Sequence, residues 1–324
     1  MSLCLIGPMQ WRLFAPMQSP AQSRILFMQV SAFTGCRVGL GVALAVASIA
    51  PLLFGDEPSP ATSRKESPDI AIPSKDDLLD QRIVFAKTAL GRYSIQIAGR
   101  DEPARLSEVC LRWSNPVSQV KDGVLAVYAF DGGRPVAIGQ IFHSAGYSWV
   151  HEFAIIAQDE TAILREGRPF WKPSEYICRF VDVPNAPVPA AKATLRLSQM
   201  RKIAGDFSVV DHAGWEESEI TRHELRLLPQ PVYRYAEAGK IIDGGLFEFA
   251  LGTDPECNLL IEAYQDEKGS RYRYALAPMS VYQLEARYRD QAVWGIERRI
   301  FTGDKCTKYY ARFYTPAPGE NVPE

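Results

Sequence analysis

Histidine is scarce in this sequence, with four in 324 residues, and none of the spaced motifs that announce a reaction is present. There is no G-x-S-x-G nucleophile elbow and no S-x-x-K with its partner motifs, so an activated serine has no recognisable setting. Neither G-x-x-x-x-G-K-[ST] nor G-x-G-x-x-G occurs, so a phosphate cradle has no support and no cofactor is implied. A basic excess is also missing: 36 Lys and Arg face 38 Asp and Glu, giving a pI near 6.2. Neutralising a nucleic-acid backbone needs a basic face, so that class of partner is excluded. Glycine and proline, at 23 each, are too ordinary for a collagen-like or Pro-rich filament. What the chain does have is 47% hydrophobic residues. That is enough to bury a substantial core, and its length fits one large or two small domains.

One further absence is local. Residues 1–55 contain Arg12, Arg24 and Arg37 but no Lys, Asp or Glu, so every acid lies beyond Gly55. Within this stretch, 38–54 (VGLGVALAVASIAPLLF) is uncharged and follows Arg37 directly. A positive flank, a short apolar run and small residues near its exit form the layout of a secretory signal. Met28 would open a signal of conventional length. Ala45-Val46-Ala47 fits the small-x-small cleavage rule, and a cut after Ala50 would leave Pro51 next. The alternative is an uncleaved anchor, since the run with Gly39, Gly41 and Pro51 only just reaches spanning length. Gly35-Cys36 precedes the apolar run and so does not read as a lipoprotein site. Residues 56–73 are rich in Pro, Ser and charge and read as a spacer. The expectation is an exported protein: periplasmic, extracellular or held at the membrane by its N-terminal segment.

Beyond the spacer stand Cys110, Cys178, Cys257 and Cys306. An oxidising compartment would allow two disulfides in three connectivities, with buried free thiols as the alternative. The wide spacings match no zinc pattern, so no metal site is read from them.

The body reads as α+β and β-dominated. Residues 74–90 form a helix, with Ser74 as cap, Asp76 and Asp77 in the first turn, Gly91 as stop, and a stripe of Leu79, Ile83, Ala86 and Leu90. Seven short strand patterns follow, at 93–98, 109–113, 124–130, 136–142, 149–156, 161–165 and 176–181. The turns between them leave no room for crossover helices, so neighbours should be antiparallel. A Pro-rich joint at 183–190 leads to a second helix whose stripe is Ala193, Leu197, Met200, Ala204 and Phe207. Strand patterns then return at 225–228, 232–235, 246–251, 259–264, 272–277, 282–287 and 292–296. The resulting organisation is 74–188 as helix plus first β unit, 189–300 as helix plus second β unit, and 301–324 as a tail.

The two β regions echo each other. Asp122-Gly123 matches Asp243-Gly244, and Phe153-Ala154 matches Tyr274-Ala275, both at an offset of 121, while Trp171 matches Trp294 at 123. LRWSNPV (111–117) is set against LRLLPQPV (225–232). A strand meander with one apolar face is not stable alone, and two copies facing each other solve that problem. The expected architecture is a pseudo-symmetric sandwich or strongly curved sheet pair with the second helix packed across it.

Candidate site residues are sparse. In the strand Trp149-Val150-His151-Glu152-Phe153, His151 shares a face with Trp149 and Phe153, while Glu152 points the other way. His143 lies across the hairpin, and one residue of register decides whether the two histidines share a face. With a carboxylate they would form the core of a hydrolase, metal-assisted or not. His212 and His223 flank a polar stretch containing Asp211, Glu216, Glu217 and Glu219, which reads as a solvated loop more readily than a cation site. Arg168 and Trp171 belong to an aromatic loop edged with charge. Trp149, His151, Glu152, Arg168 and Trp171 are together a candidate contact patch.

At LRWSNPVS, HEF, RPFWKP, LSQMRKIAGDFS, LRLLPQPVYRY, DGGLFEFALGTDPE and YALAPMSVYQLEARY the chain resembles a family of exported planctomycete-type proteins. The resemblance runs from about Leu78 to Trp294. It implies export and a single architecture but assigns no activity, so no residue role carries over. The first functional expectation is therefore a non-catalytic exported protein that binds an envelope partner or ligand. A hydrolase using His151 or His143 and a structural envelope component are the alternatives.

Overall fold

Long strands buried along most of their length, with successive side chains turned to opposite faces, organise the described chain. The computed structural model describes residues 75–116, 118–144, 149–214, 217–297 and 308–315. The candidate signal, the spacer, Ser74, Glu216 and Cys306 lie outside them.

Helix α1 (Lys75–Gly91) leads into strands β1 (Tyr93–Ile97), β2 (Arg105–Asn115), β3 (Val120–Ala129), β4 (Pro135–Ser144), β5 (Trp149–Ile155), β6 (Thr161–Arg165) and β7 (Arg168–Trp171). The short β8 (Val181–Asp182) precedes helix α2 (Ala193–Gly205). Then come β9 (Phe207–Ala213), β10 (Thr221–Glu224), β11 (Arg226–Leu227), β12 (Tyr233–Glu237), β13 (Ile241–Leu251), β14 (Asp254–Asp266), β15 (Gly269–Pro278), β16 (Gln283–Tyr288), β17 (Gln291–Ile296) and β18 (Tyr310–Thr315). Every pairing is antiparallel, as the short connections require. The strands form four sheets, ordered β1-β6-β7, β18-β5-β4-β3-β2, β11-β13-β14-β15-β8 with β12 also on β13, and β10-β9-β16-β17.

Period-two side chains stack these sheets into layers. Val124, Ala126 and Tyr128 of β3 point outward and pack with Ala86, Ala89 and Leu90 of α1 and with Tyr93 and Ile95 of β1. Leu125 and Val127 point inward, meeting Leu246, Leu260, Ala275 and Ala277 from the second large sheet. The outer face of that sheet, with Phe247, Phe249, Leu259 and Ile261, is covered by Met200, Ile203 and Ala204 of α2 and by Val209, Leu284 and Ala286 of β9 and β16. Two large sheets thus face each other, and each carries a helix and a small sheet on its back. Burial on both faces explains why β5 is buried at all seven positions.

The two halves repeat one order of elements: helix, a strand of a small sheet, a meander, then two strands that return to the small sheet. The repeat extends to side chains. A Cβ on Gly123 would lie 2.5 Å from Cε2 of Trp113, and one on Gly244 would lie 2.4 Å from Cε2 of Tyr235. In both places an aromatic of the neighbouring strand lies flat over its paired glycine. Arg112 beside Trp113 grips Asp122, and Arg234 beside Tyr235 grips Asp243. LRWSNPV therefore corresponds to the Tyr233-Arg234-Tyr235 segment and not to LRLLPQPV, because pairing with the aspartate-glycine strand sets the register.

Three other expectations are corrected. Residues 176–180 are not a strand; they form a strap held by side chains, with Thr161 N–H donating to Tyr176 Oη at 2.8 Å and Gln158 Nε2 to the Cys178 carbonyl at 3.1 Å. Phe207 does not complete the stripe of α2. The helix stops at Gly205, Ile203 takes the core position, and Phe207 opens β9. The expected tail is not wholly a tail: β18 adds an edge strand to the first large sheet. No disulfide joins the described cysteines. Cys110 and Cys178 are thiols in the same inter-sheet core, and burial pushes the Cys178 thiol up to about 12.

Candidate functional site

The inner face of the first large sheet is apolar along β3 but carries one polar row. Gln140 on β4, Glu152 on β5 and Arg312 on β18 are directly opposite one another in the strand register. Arg312 Nη1 lies 2.9 Å from Glu152 Oε1, and Gln140 Nε2 donates to Glu152 Oε2 at 3.3 Å. Glu152 and Gln140 are buried, 2% and 1% exposed, and Arg312 is half-buried.

The opposing sheet brings acids to the same place. The β13–β14 register shifts between Phe249 and Ala250, and β14 begins beyond that irregularity with Asp254-Pro255-Glu256. A bulge of this kind re-aims the strand it interrupts. Gln140 Nε2 also donates to Asp254 Oδ1 at 3.3 Å, so one amide bridges carboxylates from both sheets. Glu256 is 8% exposed and hydrogen-bonds Ser280. Asp211 on β9 is fully buried and adds a further acid to the neighbourhood. Burial pushes the carboxyls of Asp254 and Glu256 well above the usual range, and the neighbouring Glu152, Asp254 and Asp211 charges reinforce the effect.

Of these side chains, Glu152, Asp254, Glu256, Ser280 and Arg312 border a cleft of about 380 Å³ between the two large sheets, with Gln140 and Asp211 outside its lining. Glu152, Asp254, Glu256, Ser280 and Arg312 form its polar part, and Phe142, Val150, Leu251 and Val281 its apolar part, with Tyr282 and Tyr314 also lining it. An apolar pocket with a few convergent polar groups is the usual form of a small-molecule site.

A second buried acid beyond the cleft sharpens the contrast. Glu262 is also fully buried between the sheets, but Arg134 Nε and Nη2 each reach it at 2.7 Å, Arg273 Nε at 2.8 Å, and Tyr235 Oη donates at 2.9 Å. That acid is compensated as a structural ion pair requires. In the cleft, Arg312 pairs with Glu152 and lies near Asp254, and it is the one cation lining it among the described residues. Glu248, paired in register with Asn258, is fully buried on the inner face of β13. Neither of its carboxylate oxygens meets a hydrogen-bond partner among the described residues, and burial drives its pKa well up.

The sequence-derived candidates separate. His143 and His151 do share a face, but it is the outer one, and neither lines the cleft. His151 is 1% exposed with Nδ1 3.1 Å from Tyr93 Oη; Trp149 packs at a tilt against Phe85 of α1, ring centres 4.8 Å apart, and edge-on against His143 at 5.4 Å. Asp122, directly opposite His143, is already held by Arg112. Glu152 points to the other face, as strand geometry dictates, so it cannot work with His151 on one atom. The contact patch is likewise corrected: Trp149, His151 and Glu152 are core residues, Trp171 is half-buried against the α1 core, and only Arg168 is exposed. On β9, His212 Nε2 lies 3.3 Å from Glu285 Oε1; His223 is half-buried on β10, and Glu217 and Glu219 are exposed. Among the described residues no group of three or more His, Cys, Asp or Glu side chains is placed to hold a metal ion.

Sequence reasoning missed Gln140, Asp254, Glu256 and Arg312, and it read Asp211 into a solvated loop, whereas strand pairing buries it fully on β9. Two signals were available: paired acids around Pro255 at the head of a long apolar strand, and the period-two run Tyr310-Ala311-Arg312-Phe313-Tyr314. No protein-family model, curated protein or solved structure matches the chain.

Proposed function

We propose that the protein is an exported, non-catalytic ligand-binding component of the cell envelope, and that the inter-sheet cleft is its capture site. The supporting observation is that Glu152, Asp254, Glu256 and Arg312 line one concave space beside an apolar wall, while His143 and His151 are buried on the other face of the sheet against Trp149 and Tyr93. Export is supported by the acid-free N-terminal stretch and its apolar run, and by the resemblance to exported planctomycete-type proteins. No helix among the described residues is long and apolar enough to cross a membrane.

The reading is tested by a thermal-shift screen of small polar and amphipathic compounds on the full chain, with Val281→Phe as a cleft-filling control. Compounds that raise Tm in the parent and not in the variant are the expected result. Equal shifts in both proteins would move the site elsewhere, and cell fractionation that leaves the chain in the cytosol would remove the export half.

A hydrolase is the second reading, now on carboxyls and not on histidines. An Arg-paired Glu152 beside Asp254 and Glu256, both pushed toward the neutral form, is the unlike-carboxyl setting that acid–base hydrolysis uses. Turnover on a substrate panel that is lost with Glu256→Gln and kept with His151→Ala would favour it.

A further inference from the structure

Among the described residues the cleft is lined by more acid than base, three carboxyls against one guanidinium. Glu152, Asp254 and Glu256 line it with Asp211 behind them, and Arg312 is engaged with Glu152. Elsewhere in the same interface Glu262 is compensated fully by two arginines and a tyrosine, although Glu248 is not. The cleft is built differently. Behind it, the buried Gln140 shares Nε2 between Glu152 and Asp254, and its Oε1 meets no hydrogen-bond partner among the described residues.

We infer that the cleft takes an amphipathic organic cation, with a protonated amine or quaternary ammonium group seated among Glu152, Asp254 and Glu256 and an apolar body along Phe142, Val150 and Val281. The inference rests on the reading of the cleft as a ligand site. A bare metal ion fits poorly, because among the described residues no three acids are placed closely enough to hold one and the space is far larger than one ion. An anion would meet three carboxyls and an arginine already bound to one of them. The aromatic walls are suited to positive charge: the Arg312 guanidinium lies 5.8 Å from the Phe142 ring centre and 5.6 Å from that of Tyr314.

Cation binding favours ionised carboxylates, so an acid that is neutral in the empty cleft loses its proton when the ligand arrives. The groups facing Asp254 and Glu256 are Glu152 on β5, Arg312 on β18, Asp211 on β9 and Ser280 after β15. Affinity should therefore rise with pH, by up to about tenfold per unit for one proton released.

The test is calorimetric titration of the full chain with three probes of matched body: 2-phenylethylamine, 2-phenylethanol and 3-phenylpropanoate. The expected result is amine binding at least tenfold tighter than the alcohol, no carboxylate binding, affinity that tightens between pH 5.5 and 8, and heats that change with buffer ionisation enthalpy. Glu256→Gln and Asp254→Asn each remove a buried acid without changing shape and should fold; both should lose the preference for the amine while keeping any binding of the alcohol. Alcohol binding equal to the amine, or carboxylate preferred, overturns the inference and leaves the cleft as a ligand site. If none of the three binds and the parent screen is also silent, the cleft reading itself falls.

Discussion

Replacing Glu248 by Gln isolates a single buried acid and gives a stability signature with a definite sign. Glu248 is fully buried, both carboxylate oxygens lack partners among the described residues, and desolvation alone is the cause of its raised pKa. In the unfolded chain it titrates as an ordinary glutamate, so between the two pKa values the folded state holds one more proton. Stability attributable to this group is then fully present below the unfolded pKa and is lost as pH rises toward the folded one. The slope is about 1.4 kcal/mol per pH unit, or roughly 3 kcal/mol over two units. Gln fills the same volume and stays neutral. Its amide meets the same partnerless pocket as the protonated acid, so any constant offset of about 1–3 kcal/mol between the proteins carries no information. Guanidinium unfolding of parent and Glu248→Gln at pH 4, 5, 6 and 7 should give curves that differ by that offset at pH 4 and then change steadily in favour of the variant. Asp254 and Glu256 titrate in both proteins and cancel. A gap that is independent of pH, or a parent that gains on the variant as pH rises, would show that Glu248 is ionised and compensated.

Three further expectations follow from the same packing. Arg312→Met leaves Glu152 buried without its partner and should destabilise the fold by about 3–5 kcal/mol in chemical denaturation; adding Glu152→Gln should recover most of that loss, and no recovery would mean that Arg312 acts mainly through packing. Gly123→Ala and Gly244→Ala each push a methyl into an overlying ring and should cost about 1–3 kcal/mol apiece, with Trp113→Ala and Tyr235→Ala respectively relieving the clash; a neutral result at one site would break the equivalence of the two units there. Cys178, buried and with its thiol pushed up to about 12, should react with a thiol reagent only after unfolding, and rapid labelling of the native protein at neutral pH would contradict its placement.

The architecture was largely legible because short, nearly unbroken apolar runs bounded by turn residues, such as Val124–Ala129 and Leu259–Tyr264, mark strands buried on both faces. The pairing of Asp122-Gly123 with Asp243-Gly244 was also readable, since a glycine beneath an aromatic is a local requirement. Register between segments was not: LRW resembles LRL in letters, yet only the strand opposite the glycine decides that Trp113 answers to Tyr235. The site was less visible still. Asp254 and Glu256 look like turn residues when the bulge that turns them into the interface is unknown. Glu152 beside His151 invites a joint role that strand geometry forbids. Arg312 belongs to a segment whose partner strand lies about 160 positions earlier, a distance over which no periodicity can speak.

That last strand has a temporal meaning. Residues 149–155 lie near the middle of the chain, but their outer neighbour arrives only with residues 310–315. Until the final stretch is available, the first meander keeps a bare rim of backbone amides and carbonyls and Glu152 has no guanidinium beside it. A polypeptide threaded outward from its N-terminus would finish its first half last, and the cleft would come into being in the same stroke that seals the rim.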